Sequence, residues 1–267
     1  MNKEILHFAH ANGFPGGSYN KLLSRFREKF EVIAIDRLGH NPDYPVNNNW
    51  TNLADELIAF LENNSVSPVI GVGHSLGSLV TFIAAYKRPD LFKALIMLDP
   101  PFVTGVWGLI FRFLKFTGFA DRITPAGQSS GRRSVWRDMR EAEAYFMSKK
   151  LFQQFHPSSL NDYIEHGINP CDDGLCLSYD VSTEVKIFQT MPDNIGSYSR
   201  PLDIPGALIY GETSHAVHLP TLIKFTKRHG FNLCTSPGGH LFPLEKPDEA
   251  ADVIERELQG ILYNLSA

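Results

Sequence analysis

Residues Gly71-Val72-Gly73-His74-Ser75-Leu76-Gly77-Ser78 put a serine among closely spaced glycines, at the passage from an apolar run into a helical pattern. Two chemistries use such a turn. A phosphate-binding loop needs G-x-G-x-x-G, or a glycine-rich loop ending in lysine. Here Leu76 stands where the third glycine should be, and the loop holds no lysine. A serine nucleophile needs G-x-S-x-G, which Gly73-His74-Ser75-Leu76-Gly77 supplies. Small residues on both sides of Ser75 let strand and helix approach each other, and the strained turn lifts the hydroxyl above the sheet edge. The same turn aims the N–H groups of the helix N-terminus at any oxyanion formed beside Ser75.

A serine of ordinary acidity is a poor nucleophile, so a base must lie within hydrogen-bond reach. With the nucleophile on a strand-to-helix turn, triad order along the chain is serine, acid, histidine. His240, in Pro237-Gly238-Gly239-His240, follows the last predicted strand and precedes the last helix, and its two glycines let the loop bend toward Ser75. His74 flanks the nucleophile and is read as packing around the turn, not as the base.

These residues must be delivered by a sheet whose loops gather at one edge. Short runs rich in isoleucine and valine, separated by helical patterns, predict βα units and a parallel sheet. Strands are expected at Ile5 to Ala9, Val32 to Asp36, Val69 to Val72, Ala94 to Leu98, Ala207 to Tyr210 and Asn232 to Thr235. Apolar spacing predicts helices over Tyr19 to Lys29, Thr51 to Asn63, Leu76 to Lys87, Leu219 to His229 and Asp248 to Leu262. Pro247, Asp248 and Glu249 form a helix start that both backbone and dipole favour. Between about Pro100 and Pro201 the alternation stops and aromatic residues accumulate in mostly helical patterns. The chain therefore divides into a core of residues 1–100 and 201–267 and an insertion of residues 101–200, expected to pack on the sheet.

The whole pattern resembles the α/β-hydrolase superfamily: a mostly parallel sheet of about six strands flanked by helices, with an inserted helical cap. His10-Ala11-Asn12-Gly13-Phe14-Pro15-Gly16 is similar to the HG-x-P oxyanion loop, with two residues inserted after the histidine. Asp36-Arg37-Leu38-Gly39-His40 resembles the D-x-R-G-H loop. Gly239-His240 with Leu244-Glu245-Lys246-Pro247 resembles the family's ending, whereas its usual first two strands are missing. The resemblance implies an oxyanion hole from the backbone N–H groups of Phe14 and Leu76. It also implies an acid after the strand that follows the cap, but there the chain reads Gly211-Glu212-Thr213-Ser214-His215, without aspartate. Asp99, at the end of ALIML, is the favoured substitute, because some relatives draw their acid from that strand end; Glu212, or no carboxylate at all, are the alternatives. As a cap, the aromatic stretch from Val106 to Phe116 would line the cavity with Trp107 and Phe111, favouring acyl or aromatic substrates and excluding water. A membrane-surface helix is the other reading of that stretch.

The expected function is a serine hydrolase of carboxylic esters or related acyl compounds, working through an acyl-enzyme and without a cofactor. Carbon–carbon bond hydrolysis or a lyase reaction on the same triad, and a non-catalytic ligand-binding protein with a degenerate triad, are the rivals. The chain has 267 residues, 43% hydrophobic and 20% charged, and a net charge of -4, which suits one large domain with an insertion and gives no general attraction to nucleic acid. No apolar run approaches the roughly 18 residues of a membrane span, and the N-terminal run is too short for a signal peptide. A cytoplasmic protein without stable membrane insertion is expected, of undefined oligomeric state. Cys171, Cys176 and Cys234, odd in number and sparse, are expected as reduced thiols, and one C-x4-C pair gives no zinc site. His215 and His218, with Glu212 nearby, are read as a helix entrance and not as metal ligands. Arg132, Arg133, Arg137 and Arg140 form a basic patch, read as a solvated face, with an acidic carrier of the substrate as the sharper alternative.

Overall fold

The computed structural model describes residues 3–65, 67–117 and 126–266. Strands β1 (Glu4–Ala9), β2 (Phe30–Ala34), β3 (Val69–His74) and β4 (Phe92–Leu98) precede the insertion; β5 (Val135–Trp136), β6 (Ile168–Cys171) and β7 (Gly174–Leu177) lie within it; β8 (Gly206–Gly211) and β9 (Asn232–Ser236) follow. The helices are α1 (Asn20–Ser24), α2 (Thr51–Asn64), α3 (Leu76–Lys87), α4 (Gly105–Thr117), α5 (Ala126–Ser129), α6 (Met139–Met147), α7 (Pro157–Gly167), α8 (Val181–Gln189), α9 (Leu219–His229), α10 (Phe242–Glu245) and α11 (Pro247–Ser266).

Six strands make one sheet in the order β2-β1-β3-β4-β8-β9, with every pairing parallel. Because side chains alternate along a strand, each strand feeds two cores. Leu6, Phe8, Ile70 and Val72 point to one face, where Leu22 and Leu23 of α1 and Ile254 and Leu258 of α11 cover them. Ile5, Ala9, Val69 and Leu95 point to the other, beneath Leu53 and Leu57 of α2, Leu79 and Phe82 of α3 and Leu222 of α9. From β1 the chain runs outward to β2 on one side and then to β3 on the other, so the crevice between the C-terminal ends of β1 and β3 is a topological switch point, where sheets of this type bind ligands.

Three local expectations are corrected. The helix expected from Tyr19 to Lys29 is a 3-10 turn at Gly16–Tyr19 followed by the short α1, because Leu22, Leu23 and Phe26 reach the core without further helical turns. The insertion is not only helical: β5, β7 and β6 form an antiparallel sheet in that order. Its β6–β7 hairpin turns at Asp172 and Asp173 into Gly174, whose φ of 120° suits a residue without Cβ. The third correction concerns the thiols. The hairpin holds the Cα atoms of Cys171 and Cys176 5.9 Å apart, within disulfide reach, and the two are bonded; Cys234 is free.

The insertion packs on the sheet through aromatic rings. Phe14, just after β1, lies 5.5 Å from Tyr163 and 5.9 Å from Phe155 between ring centroids, and within the insertion Phe146 lies 5.2 Å from Tyr163. Each such pair contributes about 0.5–1.5 kcal/mol beyond its buried area. No helix among the described residues is long and apolar enough to cross a membrane.

Candidate active site

The loops after β1, β3, β4, β8 and β9 all leave the same edge of the sheet. Ser75, between β3 and α3, has φ 51° and ψ -111°, a backbone conformation that L-residues rarely adopt. The flanking glycines make it possible. A Cβ on Gly77 would lie 2.1 Å from the Ala9 carbonyl oxygen, and one on Gly73 would lie 2.4 Å from the Gly77 carbonyl oxygen. The Ser75 N–H donates to the Leu98 carbonyl at 2.9 Å, fixing the turn to β4. Such strain costs on the order of 1–3 kcal/mol and persists only where surrounding bonds determine it.

The His240 Nε2 lies 3.0 Å from Ser75 Oγ, and its Nδ1 lies 2.6 Å from Asp99 Oδ2. A carboxylate only accepts, so the ring proton sits on Nδ1, leaving Nε2 bare to receive the serine proton. Asp99 is fully buried. Its Oδ1 accepts the Gly211 N–H at 2.8 Å, and its Oδ2 also accepts the Ser214 hydroxyl at 2.7 Å. These bonds offset the cost of taking a carboxylate out of water. Glu212, the alternative acid, is exposed, and it is Asp99 that meets His240.

The expected donor at Phe14 is corrected. The Phe14 N–H bonds to the Ala11 carbonyl at 3.1 Å, and its ring is buried under the insertion. Asn12 instead lines the cavity beside Ser75, Leu76 and His240. Among the described residues, the backbone N–H groups of Asn12 and Leu76 have no acceptor. His10 anchors this loop: its Nδ1–H donates to the Ala11 carbonyl at 2.8 Å, its Nε2 accepts the Leu38 N–H at 2.8 Å, and its carbonyl accepts the Gly77 N–H at 3.1 Å. The Asn12 side chain donates to the Glu184 carbonyl at 3.0 Å, tying the loop to α8. Asn12 stands two residues after His10, where the chain has just left β1, the strand paired with β3.

The cavity over Ser75 has a volume of about 450 Å³, and Trp50, Phe102, Phe111, Ile187, Phe188 and Met191 give it a largely apolar wall. Phe111 faces inward from α4 at 2% exposure, while Leu109 and Phe113 on the same helix are 63% and 65% exposed. The Trp107 side chain lies outside the described residues. Arg112 and Lys115, the two charges of that aromatic stretch, both pair with buried Asp193. The basic patch is also largely neutralised: Arg132 pairs with Glu184 at 2.8 Å and bonds Tyr163, and Arg133 and Arg137 pair with Glu141. His215 reaches the cavity wall, whereas His218 bonds Thr221 at 3.0 Å. Among the described residues no group of three or more His, Cys, Asp or Glu side chains could hold a metal ion.

Fold and sequence agree on the class. Residues 8–253 match the alpha/beta hydrolase family, and the chain belongs to it. It is 23% identical over 226 residues to the 2-(acetamidomethylene)succinate hydrolase of Mesorhizobium japonicum, covering 84% of this chain and 76% of that protein. A crystal structure of E-2-(acetamidomethylene)succinate hydrolase has the same fold, with a TM-score of 0.78 at 21% identity over 97% of this chain and 92% of that one. The strigolactone esterase D14 of Arabidopsis thaliana is 30% identical over 100 residues, 35% of this chain and 38% of its own length.

Proposed function

We propose that this protein is a serine hydrolase of uncharged carboxylic esters or related acyl compounds. The observation that carries the reading is the continuous chain from Ser75 Oγ through the His240 ring to Asp99, with contacts of 3.0 and 2.6 Å. In this mechanism Ser75 attacks the substrate carbonyl as His240 Nε2 takes its proton. Asp99 holds the ring in its working tautomer and stabilises the imidazolium without itself becoming protonated. The tetrahedral oxyanion sits against the Asn12 and Leu76 N–H groups, each worth on the order of 3 kcal/mol of barrier in sites of this kind. His240 then delivers its proton to the leaving group, and water, activated by the same ring, releases the acyl group from Ser75.

Residues 101–200 act as the cap, with Phe111 lining the site; the hydrophobic wall they complete keeps water from the charged intermediate. At roughly 30 Å³ per water-sized group, a cavity of about 450 Å³ suits a short to medium acyl chain. The Mesorhizobium relative acts, by its name, on a succinate derivative. The apolar wall here favours a neutral acyl group instead, because an unpaired carboxylate would be costly to bury. The rival reading as a binding protein rests on the missing aspartate after Tyr210; the contact of Asp99 with His240 supports catalysis over binding alone.

The test is labelling with a fluorophosphonate. One adduct on Ser75, abolished in Ser75→Ala, together with turnover of a 4-nitrophenyl butyrate, is the expected result. Intact protein that stays unlabelled contradicts the proposal.

A further inference from the structure

Three catalytic loops of the proposed hydrolase meet at a pair of buried side chains that do no chemistry themselves. Tyr19 and His74 are both wholly buried. His74 Nε2 lies 2.9 Å from the His240 carbonyl oxygen, and its Nδ1 lies 2.7 Å from the Tyr19 hydroxyl. That hydroxyl is in turn 3.3 Å from the Ala11 N–H. Every direction in this chain is forced. A carbonyl only accepts, so Nε2 of the neutral ring must carry the hydrogen; Nδ1 is then bare and must accept from Tyr19; the tyrosine oxygen keeps a lone pair for the Ala11 N–H. Reversing any one bond would leave two donors or two acceptors facing each other between side chains shut off from bulk solvent.

We propose that Tyr19 and His74 are positioning residues that lock the loop carrying the proton acceptor His240 to the loop carrying the oxyanion donor Asn12. One end of the chain holds the carbonyl of His240 itself. The other end holds the amide of Ala11, the residue before Asn12. In the middle, His74 is the residue before Ser75, so its ring moves with the strained turn that carries the nucleophile. The His74 and His240 rings also pack against each other at 5.4 Å between centroids. This proposal rests on the serine-hydrolase reading, and it adds a function for the histidine of Gly-His-Ser that packing alone does not supply. If His240 swings about its backbone, Nε2 leaves Ser75 Oγ, and misplacement on the order of 1 Å can cost about 100-fold in rate.

The experiment compares His74→Leu, His74→Gln and Tyr19→Phe with the wild-type chain, hydrolysing 4-nitrophenyl butyrate, with active sites titrated by the fluorophosphonate so that misfolded protein is not counted. Glutamine can place an amide N–H close to where Nε2–H lies; leucine cannot. Under the proposal, His74→Leu lowers kcat per titrated site by about 100-fold with KM little changed. The low-field proton resonance of the His240–Asp99 bond moves. His74→Gln restores most of both, and Tyr19→Phe shows a smaller loss of the same kind. The proposal is overturned if kcat per titrated site stays within about twofold in His74→Leu. It is equally overturned by a loss that His74→Gln does not recover. Should His74→Leu fail to fold, Tyr19→Phe decides alone: unchanged kcat per site overturns the proposal. Wild-type protein that Ser75 labelling does not detect sinks the hydrolase reading itself, whereas labelled wild type with unaffected variants removes only this inference.

Discussion

Asp99 is a carboxylate with no exposed surface, held by one backbone N–H, one hydroxyl and one imidazole. Asparagine in its place keeps the shape but offers an N–H where the ring needs an acceptor, so the imidazole turns to its other tautomer and loses its lone pair toward Ser75. Asp99→Asn should therefore lower kcat by about 10,000-fold with the fold intact by circular dichroism, while Glu212→Gln, an exposed change, should leave kcat within about twofold. Equal losses in both variants would reject this assignment of the acid. Ser75 and His240 were legible because their chemistry is announced by their immediate neighbours, glycines above all. Asp99 was legible only as one of several possibilities, since nothing local distinguishes a strand-end aspartate that meets a histidine from one that does not. Asn12, the donor proposed in place of Phe14, was missed for a different reason: its proposed contribution is a backbone N–H, and whether that group is free depends on how the turn folds. The bond from Phe14 N–H to Ala11 reverses the assignment, and no side chain signals it.

β3 and β4 were legible as short apolar runs and α2 by its one apolar face, whereas α3 is buried nearly all round and β2 lies at Phe30–Ala34, two residues before the expected Val32 to Asp36. The insertion was less legible. Its two-residue hairpin at Asp172-Asp173 and the pairing of Cys171 with Cys176 depend on contacts within a small sheet whose strands are only two to four residues long, too short for an alternating pattern to register. Close approach of elements makes its own prediction at Gly77. A Cβ there meets the Ala9 carbonyl oxygen at 2.1 Å, and the obstacle is backbone, so α3 and β1 must separate. Gly77→Ala should destabilise the chain by roughly 1–3 kcal/mol or more through overpacking, read as a lower midpoint in urea, and should reduce fluorophosphonate labelling of whatever remains folded. An alanine variant of wild-type stability and labelling rate would show that the turn does not depend on this contact.

Across the whole molecule, acid stability is governed by histidines folded into the sheet in neutral form. Burial, reinforced by neighbouring His10, lowers the pKa of His7 to about 3; burial lowers His10 to about 4; burial, with His240 nearby, lowers His74 to about 3. Each regains its ordinary value of 6.5 on unfolding. Below pH 6.5 the unfolded chain therefore binds protons that the native chain refuses, and stability falls as the pH drops, by about 1.4 kcal/mol per unit for each group. His229, lowered by burial to about 4, acts in the same direction. Glu56 opposes them. Burial raises its pKa from 4.5 to about 7 against the bonds it accepts from the Gly39 and Asn41 N–H groups, so between those values the native chain holds the extra proton and acidification favours folding. These four histidines outweigh Glu56, so the net sign is loss. From pH 6.5 to 5 the loss should reach several kcal/mol, a large share of the roughly 5–15 kcal/mol that domains possess. Urea titrations at intervals across that range should show a falling midpoint at constant slope. His7→Leu removes one proton site from the unfolded chain and should flatten the pH dependence, whereas Glu56→Gln removes the opposing group and should steepen it. A wild-type midpoint that stays level from pH 6.5 to 5 would mean that these rings are protonated in the folded protein, contrary to their burial.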